Sequence, residues 1–260
     1  MEIHKQIIQQ LEQTQSKYNV KIPYAIESGS RAWGFASPDS DYDCRFIYVH
    51  EKDWYVSITQ KRDVIEYAPD EVFDINGWDL KKMMQHVVKS NTVMFEWFLS
   101  NQIYIKNNCV HDELLRLMND YFNPLAVSWH YLNTATKYVE EMRSVPEAKL
   151  KRYFYALRSF ANLRYIYEHN KMPYTQFTRT LEQIQLPCEI KDRINQLLKI
   201  KQKVDEKYQI PSDKLLLQYF LDETDFFKEH LQNLTFKPKN TTAHADEVFR
   251  KIIDMVWKND

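Results

Sequence analysis

Only three glycines occur in 260 residues, and two of them, Gly29 and Gly34, fall within six positions of each other. Glycine alone takes left-handed torsions freely and lets another chain come close. In a chain this poor in it, each glycine marks a place where the backbone geometry is demanding. The stretch "AIESGSRAWGFASPDSDYDCRFIYV", Ala25 to Val49, holds both and then sets Asp39, Asp41 and Asp43 at alternate positions. Any fold for this chain must accommodate a Gly29-Ser30 turn followed, ten residues later, by two acidic side chains spaced for one face of a strand.

The surrounding patterns supply the frame. Ile3, Ile7, Ile8 and Leu11 recur at helical spacing, so residues 2 to 17 read as an opening helix. "KIPYAIES" reads as a strand with Ile22, Tyr24 and Ile26 on one face, and "DYDCRFIYVH" as a second strand. "RDVIEY", the turn "APDE" and "VFDIN" suit a hairpin. From Asp79, an N-cap, Leu80, Met83, Met84, Val87 and Val88 mark a helix that Lys89, Ser90 and Asn91 close. Beyond residue 120, where "NDYFNP" interrupts the pattern, the chain is mostly helical. Segments over 147–169, 175–185, 189–208, 212–232 and 243–258 are broken at Pro187, Pro211 and Pro238. These readings divide the chain into residues 1–120 and 121–260.

Composition excludes several classes. With 44% apolar and 14% aromatic residues the chain can bury a core and is not of disordered type. The net charge of −1 rules out a general polycation, although residues 1–100 are acidic (11 Lys/Arg, 15 Asp/Glu) and residues 101–260 basic (24 against 21). Cys44, Cys109 and Cys188 form no CxxC pair, which argues against a disulfide framework or zinc site. With no leader-like or membrane-spanning run, the expectation is a reducing, cytoplasmic location and no membrane partner.

The acidic pair carries the chemistry. On a strand Asp41 and Asp43 share a face, and two converging carboxylates repel unless a cation sits between them. Oxygen ligands suit Mg²⁺, which commonly takes one or two carboxylates with phosphates and water. The glycine of Gly29-Ser30 lets backbone approach a phosphate, with Ser30 as a donor. Calcium-loop and P-loop alternatives fail on the letters. Cys44 and His50 stand where an EF-hand starting at Asp39 needs Gly and Glu, and Phe35-Ala36 stands where a P-loop needs Lys-Ser/Thr. Asp74, an acid inside an apolar strand, completes a three-carboxylate site if its strand lies beside that of Asp41 and Asp43, as metal ligand or general base. Asp79 is its rival, with helix capping the better-supported role.

"GS", ten residues, "DYD" and a later strand carboxylate resemble the signature of the DNA polymerase β-like nucleotidyltransferase superfamily. Within it, "GSRAWGFASPDSDYDCRF", "DINGWDLKKMMQHVVKSNTVMFEWFLSNQIY" and "KRYFYALRS" resemble the YcgL/RlaP-type bacterial branch, over roughly residues 20 to 165. The resemblance implies an α+β fold, with a mixed β-sheet flanked by helices and a largely helical C-terminal region. It implies two Mg²⁺ ions, a role Mn²⁺ can also fill, and transfer of a nucleoside monophosphate from an NTP such as ATP to an acceptor hydroxyl with release of pyrophosphate. An RNA end, as in RNA repair, is the first expectation for the acceptor; small molecules and protein hydroxyls are also modified within the superfamily.

Supporting residues have two readings each. Lys151, Tyr155, Arg158 and Asn162 form a polar stripe beside Leu150, Phe154, Leu157 and Ala161. The polar stripe either holds triphosphate and base, through Lys151, Arg158 and Tyr155, or is a solvated helix face. Arg31 either touches phosphate or makes a surface salt bridge. Against the enzyme reading stand a nucleotide- or RNA-binding module without turnover and an antitoxin-like, protein-modifying role. Oligomeric state is not legible.

Overall fold

A computed structural model describes residues 2–68, 72–237 and 241–258. Along the chain, α1 (Glu2–Tyr18) leads to β1 (Lys21–Glu27), a short α2 (Gly29–Trp33) and β2 (Tyr42–Val49). A turn of helix, α3 (Lys52–Tyr55), precedes β3 (Val64–Glu66), β4 (Phe73–Asp79), α4 (Leu80–Val88), α5 (Thr92–Phe98), β5 (Ile103–Lys106) and α6 (Asn108–Tyr121). There follow α7 (Pro124–Arg143), β6 (Glu147–Lys149), α8 (Leu150–His169), α9 (Phe177–Leu181) and α10 (Cys188–Lys201). The chain ends with β7 (Gln209–Pro211), α11 (Lys214–Gln232) and α12 (Thr242–Trp257). The fold is α+β. Two compact units share it: Met1–Ala32, Asp41–Phe122 and Pro238–Asp260 form one, Trp33–Ser40 and Asn123–Lys237 the other.

The first unit is built on a five-stranded mixed sheet of order β3-β4-β2-β1-β5. β2 and β4 run parallel, with Asp43 opposite Asp74, and the other pairings are antiparallel. Ile7 and Leu11 of α1 join Ile22, Ala25, Phe46, Tyr48, Ile65 and Ile75 in one core cluster. Alternation predicts one buried face on β1, yet all of residues 22–27 are buried, because helices cover the strand: Ile22 and Ala25 pack with Ile7 and Leu11 of α1, and Tyr24 packs against Phe98 of α5 and His111 of α6. Gly77 on β4 faces Phe46 on β2, and a Cβ there would sit 2.2 Å from the ring. The third glycine is a packing requirement. The expected hairpin appears as the antiparallel β3–β4 pair, whereas Pro69, Asp70 and Glu71 of its turn lie outside the described residues.

Asp79 caps α4 as expected, its carboxylate accepting from Lys81 N at 2.8 Å. The helix closes where Lys89, Ser90 and Asn91 were expected to close it. Ser90 takes the left-handed conformation (φ 54°), donating to Val87 O at 2.8 Å while Asn91 N reaches His86 O at 2.9 Å. Asn91 then caps α5 through Val93 N.

In the second unit α7, α8, α9 and α11 supply most of the core, with Phe160 stacked on Phe220 at 5.3 Å. Leu150, Phe154, Leu157 and Ala161 are buried as the periodicity requires. The neighbouring polar stripe is not a solvated face: Arg158 is 6% exposed and Asn162 fully buried. The helix expected over 189–208 stops at Lys201, and β7 pairs with β6 nearby. Strands of three residues are too short to show a period. Among the described residues no helix is long and apolar enough to cross a membrane.

Candidate active site

Strand direction assembles the site. β1 runs antiparallel to β2, so the end of β1 lies beside the start of β2, with Glu27 opposite Cys44. β4 runs parallel to β2, so its start lies there too. Asp43 therefore has the Ser28-Gly29 turn on one side and Asp74 on the other.

The turn and Asp43 are fitted to each other. Ser28 N donates to Asp43 O at 2.8 Å, and Asp43 N donates to Glu27 Oε1 at 2.9 Å. Gly29 has φ 60°, and a Cβ on it would lie 1.9 Å from Asp43 Oδ2. In the structure, then, it is the Asp43 carboxylate that comes close to the glycine. Ser30 follows, buried in α2. Arg31 donates through Nε to the Asp41 carbonyl at 2.9 Å and lays its guanidinium over the Tyr42 ring at 3.8 Å, tying the turn to the start of β2.

Charge is crowded here. Burial pushes the Asp43 carboxyl up to about 6; Arg45 opposes the rise, while Asp41, Glu27 and Asp74 add to it. Glu27 is fully buried and accepts from the Tyr104 hydroxyl as well as from Asp43 N. Its carboxyl is also raised, by burial, against the pull of those two hydrogen bonds. Asp74 is not loose: Arg45 Nη2 donates to its Oδ2 at 2.6 Å and to Asp43 Oδ1 at 3.0 Å. Asp79 sits at the other end of β4, opposite Tyr48, and accepts from the Tyr55 hydroxyl at 2.8 Å, so Asp74 is the carboxylate beside Asp43.

Among the described residues no group of three His, Cys, Asp or Glu side chains is arranged to hold a metal ion. Two carboxylates, Asp41 and Asp43, remain as an oxygen donor set of the kind Mg²⁺ uses together with phosphates and water. Their repulsion is the quantity a cation would relieve. The residues fit a two-carboxylate site made of Asp41 and the second oxygen of Asp43, while Arg45 engages Asp74 and the first oxygen of Asp43.

Lys151, Tyr155 and Arg158 lie together on α8 in the second unit. Lys151 pairs with Glu206 at 2.8 Å, Tyr155 packs edge-on against Trp33 at 5.5 Å, and the Arg158 guanidinium lies over Trp33 at 4.2 Å. The sequence reading passed over Glu27, Arg45 and Tyr104. Arg45 had a visible signal, a charge two positions after Asp43 inside an apolar strand. Glu27 had a weaker one, an acid at a strand end.

These observations can be set beside known proteins. A relative from Bacillus subtilis (strain 168), described as "Uncharacterized protein YcgL", is 36% identical over 255 residues, covering 98% of each chain. Among solved structures, a nucleotidyltransferase-like protein from Exiguobacterium sibiricum 255-15 aligns over 97% of this chain and 89% of its own, at 13% identity and a TM-score of 0.30. The profile of the family described as "RlaP: RNA repair pathway DNA polymerase beta family" matches residues 3–251. With that match spanning nearly its whole length, the chain belongs to the RlaP family, a DNA polymerase beta family.

Proposed function

We propose that the protein is a metal-dependent nucleotidyltransferase that moves a nucleoside monophosphate from an NTP to an acceptor hydroxyl, with an RNA end as the acceptor. The observation that carries the reading is the parallel β2–β4 register, which sets Asp43 beside Asp74, with Asp41 two residues away and the Gly29-Ser30 turn against them. Family membership supports nucleotidyl transfer, and the RNA repair pathway in the family's description supports an RNA acceptor. A pure binding module gains nothing from keeping mutually repelling carboxylates partly buried, which favours turnover.

In the reaction the acceptor oxygen attacks the α-phosphorus. A new O–P bond forms as the bond to the β-phosphate bridging oxygen breaks, pyrophosphate leaves with that electron pair, and the hydroxyl proton passes to a base. Asp41 and Asp43 would hold Mg²⁺, as two ions, or Mn²⁺ in its place; a bound divalent cation offsets phosphate charge and lowers the pKa of the attacking hydroxyl. Asp74 is assigned as the third carboxylate, ligand or proton acceptor. Gly29 and Ser30 donate to the triphosphate, and Arg31 holds the turn against Asp41. Lys151, Tyr155 and Arg158 are engaged within the second unit, and the reading rests on the first unit alone. Three free thiols, Cys44, Cys109 and Cys188, support the cytoplasm as its location.

The test is pyrophosphate release and label transfer from each α-labelled NTP, with Mg²⁺ and total RNA, for wild type and the Asp41→Asn/Asp43→Asn double variant. Label entering RNA with wild type alone is the expected result. Equal transfer by a folded double variant would sink the proposal.

A further inference from the structure

The carboxylate cluster contains a cation of its own. Arg45 follows Asp43 by two residues on β2, so both side chains leave the strand on one face. Its guanidinium makes four donations: Nη2 to Asp43 Oδ1 and Asp74 Oδ2, and Nη1 to the Asp74 carbonyl at 2.7 Å and the Cys44 carbonyl at 3.1 Å. The side chain is 15% exposed. A planar fork held by four acceptors at low exposure is a fixed part of the structure, unlike a surface ion pair between long, mobile side chains. It stands between the two acids that face each other across β2 and β4. A divalent cation approaching that pair meets a positive charge already in place.

We propose that Arg45 is the resident counter-cation of this cluster and sets its affinity for a divalent cation by competing for Asp74. Without nucleotide, Arg45 holds Asp74 at 2.6 Å and one oxygen of Asp43 at 3.0 Å, which leaves a metal ion Asp41 and the other oxygen of Asp43 to bind. A nucleotide's phosphates bring the further negative charge needed to hold a metal tightly, so metal and nucleotide arrive together. The inference rests on the metal-site reading above. It assigns Arg45 a positioning role, since the residue acts through Asp43 and Asp74 and need not touch the substrate.

The test measures Mn²⁺ binding to the full-length protein without nucleotide, by electron paramagnetic resonance of the free ion, for wild type, Arg45→Gln and Arg45→Lys. Circular dichroism identifies the folded variants. Neutralising the arginine removes a positive charge hydrogen-bonded to Asp43 and Asp74 and frees a ligand, so Arg45→Gln should bind Mn²⁺ roughly tenfold more tightly. Lysine keeps the charge but cannot span all four acceptors, so Arg45→Lys should fall between, about threefold tighter than wild type. Adding Asp74→Asn to Arg45→Gln should cancel most of the gain, the double-mutant signature of competition for one ligand. A merely structural role gives the opposite sign, because loosening the site weakens metal binding. Any folded Arg45 variant that binds Mn²⁺ no more tightly than a wild type that does bind it overturns the inference alone. No Mn²⁺ binding by wild type or any variant also overturns the inference, whereas the metal-site reading falls only if the transfer assay above shows equal activity in the Asp41→Asn/Asp43→Asn double variant.

Discussion

Asp43 is the residue on which most of the local design bears. Its side chain requires a glycine at position 29, its amide is held by Glu27, and its carboxylate shares Arg45 with Asp74. Burial and neighbouring acids raise it from an ordinary 3.8 to about 6, so the folded protein binds this proton more tightly than the unfolded chain does. The stabilising contribution is complete below pH about 3.8 and is lost as pH rises through about 6. Above that, the ionised carboxylate burdens the fold. Asparagine has nearly the same shape and cannot ionise. Asp43→Asn, freed of divalent ions, should therefore melt on the order of 5 °C above wild type at pH 8, the gap closing toward pH 4. Scanning calorimetry across that range checks it, and a variant that melts lower at pH 8 would show that the Arg45 pairing outweighs the burial. Mg²⁺ should raise the wild-type melting temperature and leave the variant's nearly unchanged.

At the scale of elements, the sheet brings the acids together, and between β2 and β4 the Phe46 ring lies directly against Gly77. Gly77 has no room for a methyl group: a Cβ would meet three atoms of the Phe46 ring within 2.5 Å, and a buried ring cannot swing aside. Gly77→Ala should cost about 1–3 kcal/mol in urea unfolding and lower activity through the Asp43–Asp74 register. Much at this scale was legible beforehand. The α4 periodicity, its Asp79 cap and its closure at Ser90 could be read because each rests on local chain geometry. Asp74 could be singled out because an acid inside an apolar strand is costly without a partner. The partner itself was not legible. Arg45 satisfies Asp74 across a parallel pairing, and sequence alone does not say which strands are neighbours. Glu27 was not legible for the same reason, its carboxylate being held by Tyr104 on β5, 77 residues away in sequence but on the neighbouring strand of the sheet. β6 and β7 escaped notice because three residues show no period, and the α10 pattern ran on past Lys201 because the polar residues after it carry no stop signal.

At the scale of the whole molecule, the chain does not divide at a single point. The segment Trp33–Ser40 packs with the helical unit, while Ala32 and Asp41 at its two ends belong to the sheet unit. This segment joins the glycine-serine turn to the acidic pair. The helices hold it by polar and apolar means together. Lys201, only 2% exposed, donates to Ser37 Oγ, and burial lowers its ammonium below the usual lysine range. Glu206 accepts from Ser40 Oγ at 2.9 Å and from Lys151 at 2.8 Å, while its backbone N–H donates to Asp39 at 3.0 Å. Phe35 packs against Phe154 at 5.1 Å and Phe177 at 5.8 Å. Because Ser40 is bonded to Asp41, a segment loosened at Ser40 loosens the residue that begins the carboxylate pair. Glu206→Ala removes two of these hydrogen bonds and leaves the aromatic anchor in place. Amide exchange at Ser37 and Ser40 should then rise about tenfold, the loss of roughly one net charge-assisted hydrogen bond, while exchange in the middle of α7 stays unchanged. Nucleotidyl transfer should fall in step, although Glu206 itself carries none of the proposed chemistry. Unchanged exchange at both serines would mean that Phe35 alone secures the segment and that the Ser40–Glu206–Lys151 network serves only the helices.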